Sequence, residues 1–199
     1  MMPIGIPPTF LADLARLFDR MDAAYRQTAE RSGFVCQGCA NNCCRSLFFH
    51  HTLAEYLYLR AGLATLPLPV RETIRQRSAA ASDPTAPQEQ EGRPYSRMCP
   101  LNVEDRCLLY AHRPMICRLH GVPHRLRRPD GQTRSGPGCE DYDRQCAIGQ
   151  RRFLDRTPLY VAMSQLEREL RRCTGFEGKI RMTIAQMVVT EIEGVSVKR

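Results

Sequence analysis

Cys36-Gln37-Gly38-Cys39-Ala40-Asn41-Asn42-Cys43-Cys44 places four of the chain's ten cysteines within nine residues. Cys99, Cys107, Cys117, Cys139, Cys146 and Cys173 then follow singly. Thiolates are soft ligands. Two of them separated by two residues can reach one ion while the loop between them turns back, as in zinc sites and iron–sulfur clusters. Cys36 and Cys39 form such a clip, and Cys43 or Cys44 offers a third sulfur. A fourth must come from further along, so a bound metal would tie distant stretches together. Adjacent side chains diverge in regular structure. Cys43 and Cys44 therefore either serve two centres, or one ligates while the other packs.

Two other readings compete with metal. Disulfides need an oxidising compartment. Met1 to Pro8 shows no basic n-region and no clean apolar run before a small-residue cleavage site, so a reduced, cytoplasmic setting is expected. A radical-SAM loop spaces its cysteines by three residues and then two; this clip has two and then three.

Composition suits a folded chain. At 199 residues, 43% hydrophobic and 25% charged, it falls in the globular range, with no run long enough to span a membrane. The net charge of +8 comes almost wholly from arginine, Lys179 and Lys198 being the only lysines. Such a balance attracts acidic partners, and arginines also offset the negative charge of clustered thiolates. No recognised binding motif accompanies the charge, so nucleic acid is the weaker expectation. A protein partner is open and a membrane is not expected.

The elements that must position the cysteines are mostly helical. Thr9 precedes an apolar stripe of Leu11, Leu14, Leu17, Phe18, Met21 and Tyr25, which predicts a capped helix ending near Ser32-Gly33. After the clip, Leu47-Phe48-Phe49 reads as a short strand, with His50 and His51 as side candidates for ligation. Thr52 to Glu55 reads as a capping box opening a helix to about Gly62. A further helix is expected from about Pro69 to Ala81, then a flexible polar loop over about 82–97. Met98 to Tyr110 predicts a hairpin turning at Glu104-Asp105, which would draw Cys99 and Cys107 together. Arg113-Pro114 feeds a helical turn carrying Cys117, with Arg113 and Arg118 available to brace thiolates or loop carbonyls and His120 available as a ligand or hydrogen-bond donor.

Arg125 to Arg134 predicts a basic hairpin turning at Pro129-Asp130-Gly131. Gly136-Pro137-Gly138-Cys139 is a tight loop that could deliver one more sulfur. Cys146 is read at the start of a helical stretch, as a ligand or a small core residue. Leu159, Met163, Leu166, Leu170 and Cys173 share a helical stripe after Thr157-Pro158, which makes Cys173 a buried thiol rather than a ligand. Thr183 caps a last helix with Ile184, Met187, Val188 and Glu191, and 194–199 is a frayed tail. The expected fold is mainly α with short β-hairpins, an irregular single domain organised around a Cys-rich metal centre. Its parts are an N-terminal helix over 1–35, a cysteine-cluster segment over 36–146 and C-terminal helices over 147–199.

The order of these segments resembles a known family. The Cys36–Cys44 cluster, Cys99-Pro100-Leu101 to Cys107-Leu108-Leu109-Tyr110, Arg113-Pro114-Met115-Ile116-Cys117-Arg118 and the late Cys139 together resemble the YkgJ-like zinc- or iron-chelating cysteine-cluster proteins. That family's hallmark often has two residues before the cysteine pair; here Ala40, Asn41 and Asn42 make three. The resemblance implies a metal-binding domain with Cys36, Cys39, Cys43, Cys44, Cys99, Cys107, Cys117 and Cys139 as the matched cysteines. It implies an iron–sulfur cluster, of the [4Fe-4S] kind among others, or Zn2+. Function is then metal binding in a structural, metal-handling or electron-transfer role. The alternatives are an iron–sulfur oxidoreductase or modifying enzyme, and a zinc-stabilised nucleic-acid-binding protein. No dinucleotide loop, phosphate loop or His-Glu-x-x-His helix supports catalysis, so whether the chain is an enzyme stays open and no catalytic residue is assigned.

Overall fold

In the computed structural model, residues 6, 9–36, 43–82, 89–90, 93–94 and 97–193 are described. Helices dominate them, joined by small antiparallel and mixed sheets. The chain divides into two compact units, each built from separated stretches. Unit 1 comprises Met1–Ile6, Asn41–Pro114 and Arg171–Arg199; unit 2 comprises Pro7–Ala40 and Met115–Leu170. The three consecutive segments read from the sequence are thus interleaved between the units. Among the described residues no helix is long and apolar enough to cross a membrane.

Unit 1 is assembled on the helix Leu53–Thr65 (α2), which is apolar nearly all round and buries Leu53, Tyr56, Leu57, Leu59 and Leu63. A helix lacking a polar face must be covered on most sides. The helix Ile184–Val189 (α7) and the 3₁₀ turn Tyr110–His112 pack on it, and the helix Leu68–Ser82 (α3) packs in turn on α7. Tyr56 donates its hydroxyl to Thr190 O at 3.0 Å, and Arg60 donates to Val188 O at 2.8 Å while pairing with Glu191. Glu191 thus lies beyond α7 rather than on it. Thr183 and Gln186 close a full capping box at the start of α7.

Several local expectations need correction here. Thr52 does cap α2, but the Glu55 carboxylate accepts from the Thr52 hydroxyl at 2.7 Å and lies 3.6 Å from His50 Nδ1, so the reciprocal half of the box is missing. Gly62 does not stop the helix. A Cβ there would sit 2.4 Å from His112 Cγ, so glycine is required for packing, and α2 runs on to Thr65. Leu47-Phe48-Phe49 forms no strand; only His50 bridges, to Met182. Within 82–97 the short strands Glu89–Gln90 (β1) and Arg93–Pro94 (β2) pair. Cys173 is half-buried rather than buried.

Unit 2 packs the helix Phe10–Arg31 (α1) against the short helix Met115–Leu119 (α4) and the strand Leu154–Asp155 (β7). Leu14, Leu17, Phe18 and Met21 are buried on one face, as the periodicity predicts. Thr9 makes no side-chain cap, because its own backbone is already helical (φ −84, ψ −13) and the hydroxyl is misplaced. Strands His124–Arg127 (β5) and Thr133–Gly136 (β6) form the expected basic hairpin, with Gly131 at φ 83 in its turn. Strand β7 joins β5 in parallel register. Helix Glu140–Gln145 (α5) precedes Cys146, which caps its C-terminus rather than opening a helix. Helix Thr157–Thr174 (α6) ends before Gly175, at φ 65.

Candidate functional site

The eight matched cysteines fall on both units. Cys43, Cys44, Cys99 and Cys107 belong to unit 1; Cys36, Cys117 and Cys139 belong to unit 2. Cys39, central to the clip, lies outside the described residues. The nine described cysteines form no disulfide with one another.

In unit 1 the backbone joins two of the cysteine-bearing stretches. Cys43–Arg45 is a 3₁₀ turn, and the Cys99 N–H donates to Cys44 O at 2.8 Å, joining residues far apart in sequence. Asn102 N–H then donates to Cys99 O at 2.9 Å, closing a turn at Pro100-Leu101. The strands Asn102–Val103 (β3) and Arg106–Cys107 (β4) pair with Asn102 opposite Cys107, as the expected hairpin requires. Glu104 (φ 48) and Asp105 (φ 59) both take the left-handed conformation that a two-residue hairpin turn favours. Neither is glycine, so the turn is strained and must be held by its surroundings. Leu101 and Leu109, both buried, anchor its two ends.

The thiols of this unit act on one another. A hydrogen bond from Cys43 brings the Cys44 thiol down to about 6 from its usual range, against the opposing effect of burial. The Asn102 amide and the Arg113 guanidinium lower it further, while Asp105 raises it. Arg113 is steadied by Tyr110, whose carbonyl accepts from Nε at 3.0 Å and whose ring lies 3.5 Å beneath the guanidinium. Burial pushes Cys99 up to about 12, reinforced by the neighbouring charges of Cys44 and Cys107 and relieved in part by the Leu101 backbone. The two thiols are thus shifted in opposite directions, Cys44 down and Cys99 up. Asn102 is buried and its Nδ2 has no conventional hydrogen-bond partner among the described residues. It lies beside Cys44, whose pKa it lowers.

In unit 2 the cysteines serve the fold more visibly. Cys139 N-caps α5, its sulfur accepting from Tyr142 N–H at 3.4 Å, and its own N–H donates to Gly121 O at 2.9 Å. Tyr142 is fully buried; its hydroxyl donates to Ser32 Oγ at 2.8 Å and accepts from Arg152 N–H at 3.2 Å. Gly138 lies flat on that ring, where a Cβ would come within 2.7 Å of Cδ1. Gln145 clamps the peptide of Val35 from both sides, accepting from its N–H at 3.0 Å and donating to its C=O at 3.1 Å. The chain entering the clip at Cys36 is thereby fixed. Cys146 is buried, and burial raises its pKa. Cys117 is half-buried on α4.

The remaining sequence candidates separate clearly. Arg118 is buried in an ion pair with Asp22 and stacks over Phe18 at 4.4 Å. His50 is buried beside Glu55, and His51 is exposed. His120 is shifted down by burial and then by Arg156. Burial, Arg156 and His120 together push His124 down to about 4. Asn102 and Gln145 escaped the sequence reading. Asn102 was legible only as the hairpin partner of Cys107, and Gln145 had no local signal at all.

Thiol donors with an unsatisfied buried amide and a nearby guanidinium fit a thiolate-bound centre in donor type and charge. Among the described residues, however, no group of three or more His, Cys, Asp or Glu side chains is arranged so that it could hold a metal ion. Comparison with protein-family models, curated proteins and solved structures finds no match to this chain.

Proposed function

We propose that this protein binds metal through its clustered cysteines, holding an iron–sulfur cluster or zinc in a structural, metal-handling or electron-transfer role. The observation that supports the reading best is the shared thiol neighbourhood of unit 1. Cys43, Cys44, Cys99 and Cys107 come from three stretches of chain, and the charge of Cys44 is felt at Cys99. Mutual repulsion of this kind is relieved when a cation binds and thiol protons leave. The resemblance of the cysteine pattern to the zinc- or iron-chelating cysteine-cluster family points the same way.

Asn102 and Arg113 have the roles expected around such a centre. One is a buried amide free to donate to a ligating sulfur, and the other offsets its negative charge. When bound, an iron–sulfur cluster supplies one-electron chemistry, whereas zinc supplies a redox-inert crosslink. The number of cysteines exceeds what one zinc ion needs, which favours the cluster. The test is purification without oxygen, followed by metal and sulfide analysis and a visible spectrum. A brown protein with iron, sulfide and a broad band at about 400 nm is the expected result. Stoichiometric zinc in a colourless protein selects the other metal, and a preparation with neither overturns the proposal.

A further inference from the structure

The sheet of unit 2 leaves one whole face to solvent. Side chains alternate across a strand, and paired residues share a side. The register Arg125↔Ser135 and Arg127↔Thr133 therefore puts Arg125, Arg127, Thr133 and Ser135 together, with Asp155 of β7 opposite Arg125 on the same side. All five are exposed, whereas Leu154 on the other side is buried and Leu126 half-buried. Phe153, next to β7, is 43% exposed and lies beneath the Arg125 guanidinium at 4.4 Å from ring centroid to carbon.

Charge on this face is unbalanced. Arg125 and Arg127 make no ion pair with the described residues; Arg128, in the adjoining turn, reaches Asp130 at 3.8 Å, and Arg134 pairs with Leu126 on the opposite side. The Asp155 carboxylate is occupied locally, accepting from Thr157 N–H at 2.9 Å. Elsewhere arginines such as Arg75, Arg144 and Arg151 are matched to carboxylates. A solvated basic face is the ordinary outcome for a charge run. Here the run is combined with two hydroxyls and an exposed ring on one side of a single sheet.

We propose that this face binds single-stranded nucleic acid. Arginine and hydroxyl side chains are the groups that hold phosphate oxygens, and the exposed stack of the Arg125 guanidinium on the Phe153 ring supplies a flat surface for an unpaired base, whatever its sequence. A duplex hides its base faces from such a ring. A membrane surface would need more apolar area than Phe153 offers. The reading is independent of the metal proposal.

Fluorescence anisotropy of the full chain with a labelled fifteen-nucleotide oligo(dT) tests it across a salt series. Wild type should bind at low salt, with affinity falling linearly in log–log form. R125Q/R127Q should lose more than about tenfold in affinity and flatten the salt slope by roughly 0.7 per phosphate contact removed. F153A should lose about tenfold with the slope unchanged. R16Q/R20Q removes the same charge from the exposed side of α1 and should leave binding intact. Equal losses in the two double variants would reduce the effect to net charge and overturn the assignment. Equal or tighter binding to a duplex of the same length would overturn the single-strand claim. Retention on phosphatidylserine vesicles without oligo(dT) binding would overturn nucleic acid altogether.

Discussion

The two units use the same residue type in opposite ways. In unit 1, Cys44 and Cys99 are joined by a backbone hydrogen bond, and their pKa values are driven apart, one to about 6 and the other to about 12. In unit 2, Cys139 and Cys146 bracket α5 as its two caps, around the buried Tyr142. A cap or core position asks a cysteine for a small, weakly accepting sulfur. A shared thiol neighbourhood asks for charge to be managed, which is what Asn102 and Arg113 do. The pattern of cysteines in the sequence therefore overstates their equivalence.

The comparison breaks most readily at metal content. Cys99→Ser should lose nearly all bound metal, while Cys146→Ser should keep it, as measured by metal analysis of oxygen-free preparations; equal loss would erase the distinction. Next in size is Gly138→Ala, which forces a methyl into the Tyr142 ring and should cost about 1–3 kcal/mol in urea unfolding, as overpacking does. Tyr142→Phe removes the bonds to Ser32 and Arg152 and should cost roughly 1–2 kcal/mol in the same assay.

The smallest effects concern protons. In metal-free protein, iodoacetamide labelling followed by mass spectrometry should find Cys44 reactive with a midpoint at about pH 6 and Cys99 inert until about pH 12. Arg113→Gln should move the Cys44 midpoint upward by a fraction of a pH unit, since Arg113 is a secondary cause. The signs for stability follow. Cys44 is depressed in the folded state, so its contribution is present above its unfolded pKa and is lost as pH falls through about 6. Cys99 is raised, so the folded state holds a proton that the unfolded chain releases. That stabilisation is full below the ordinary thiol range and is lost as pH rises towards about 12.

Much of the fold was legible because it is local. The stripe of Leu14, Leu17, Phe18 and Met21 fixes a helix face, Glu104-Asp105 and Asp130-Gly131 fix two hairpins, and Thr183 fixes a cap. Misreadings came where a neighbour distant in sequence decides. Gly62 looks like a helix stop, yet His112 occupies the space its side chain would need. Arg118 could brace thiolates or loop carbonyls by its position in sequence, and the partner the fold supplies is Asp22.

Residue type and spacing were enough to say that this chain is mainly helical, where its hairpins turn and which thiols are candidates for ligation. Periodicity, turn chemistry and capping act within a few residues, so no partner segment is needed to read them. Which thiols share a neighbourhood, which one carries the charge and which merely cap a helix were decided by tertiary structure. The reason is physical: a thiol's pKa depends on burial and on charges within a few ångströms. For Cys44 the largest of these is the adjacent Cys43, while Asn102 and Arg113 are brought in by the fold from more than fifty residues away.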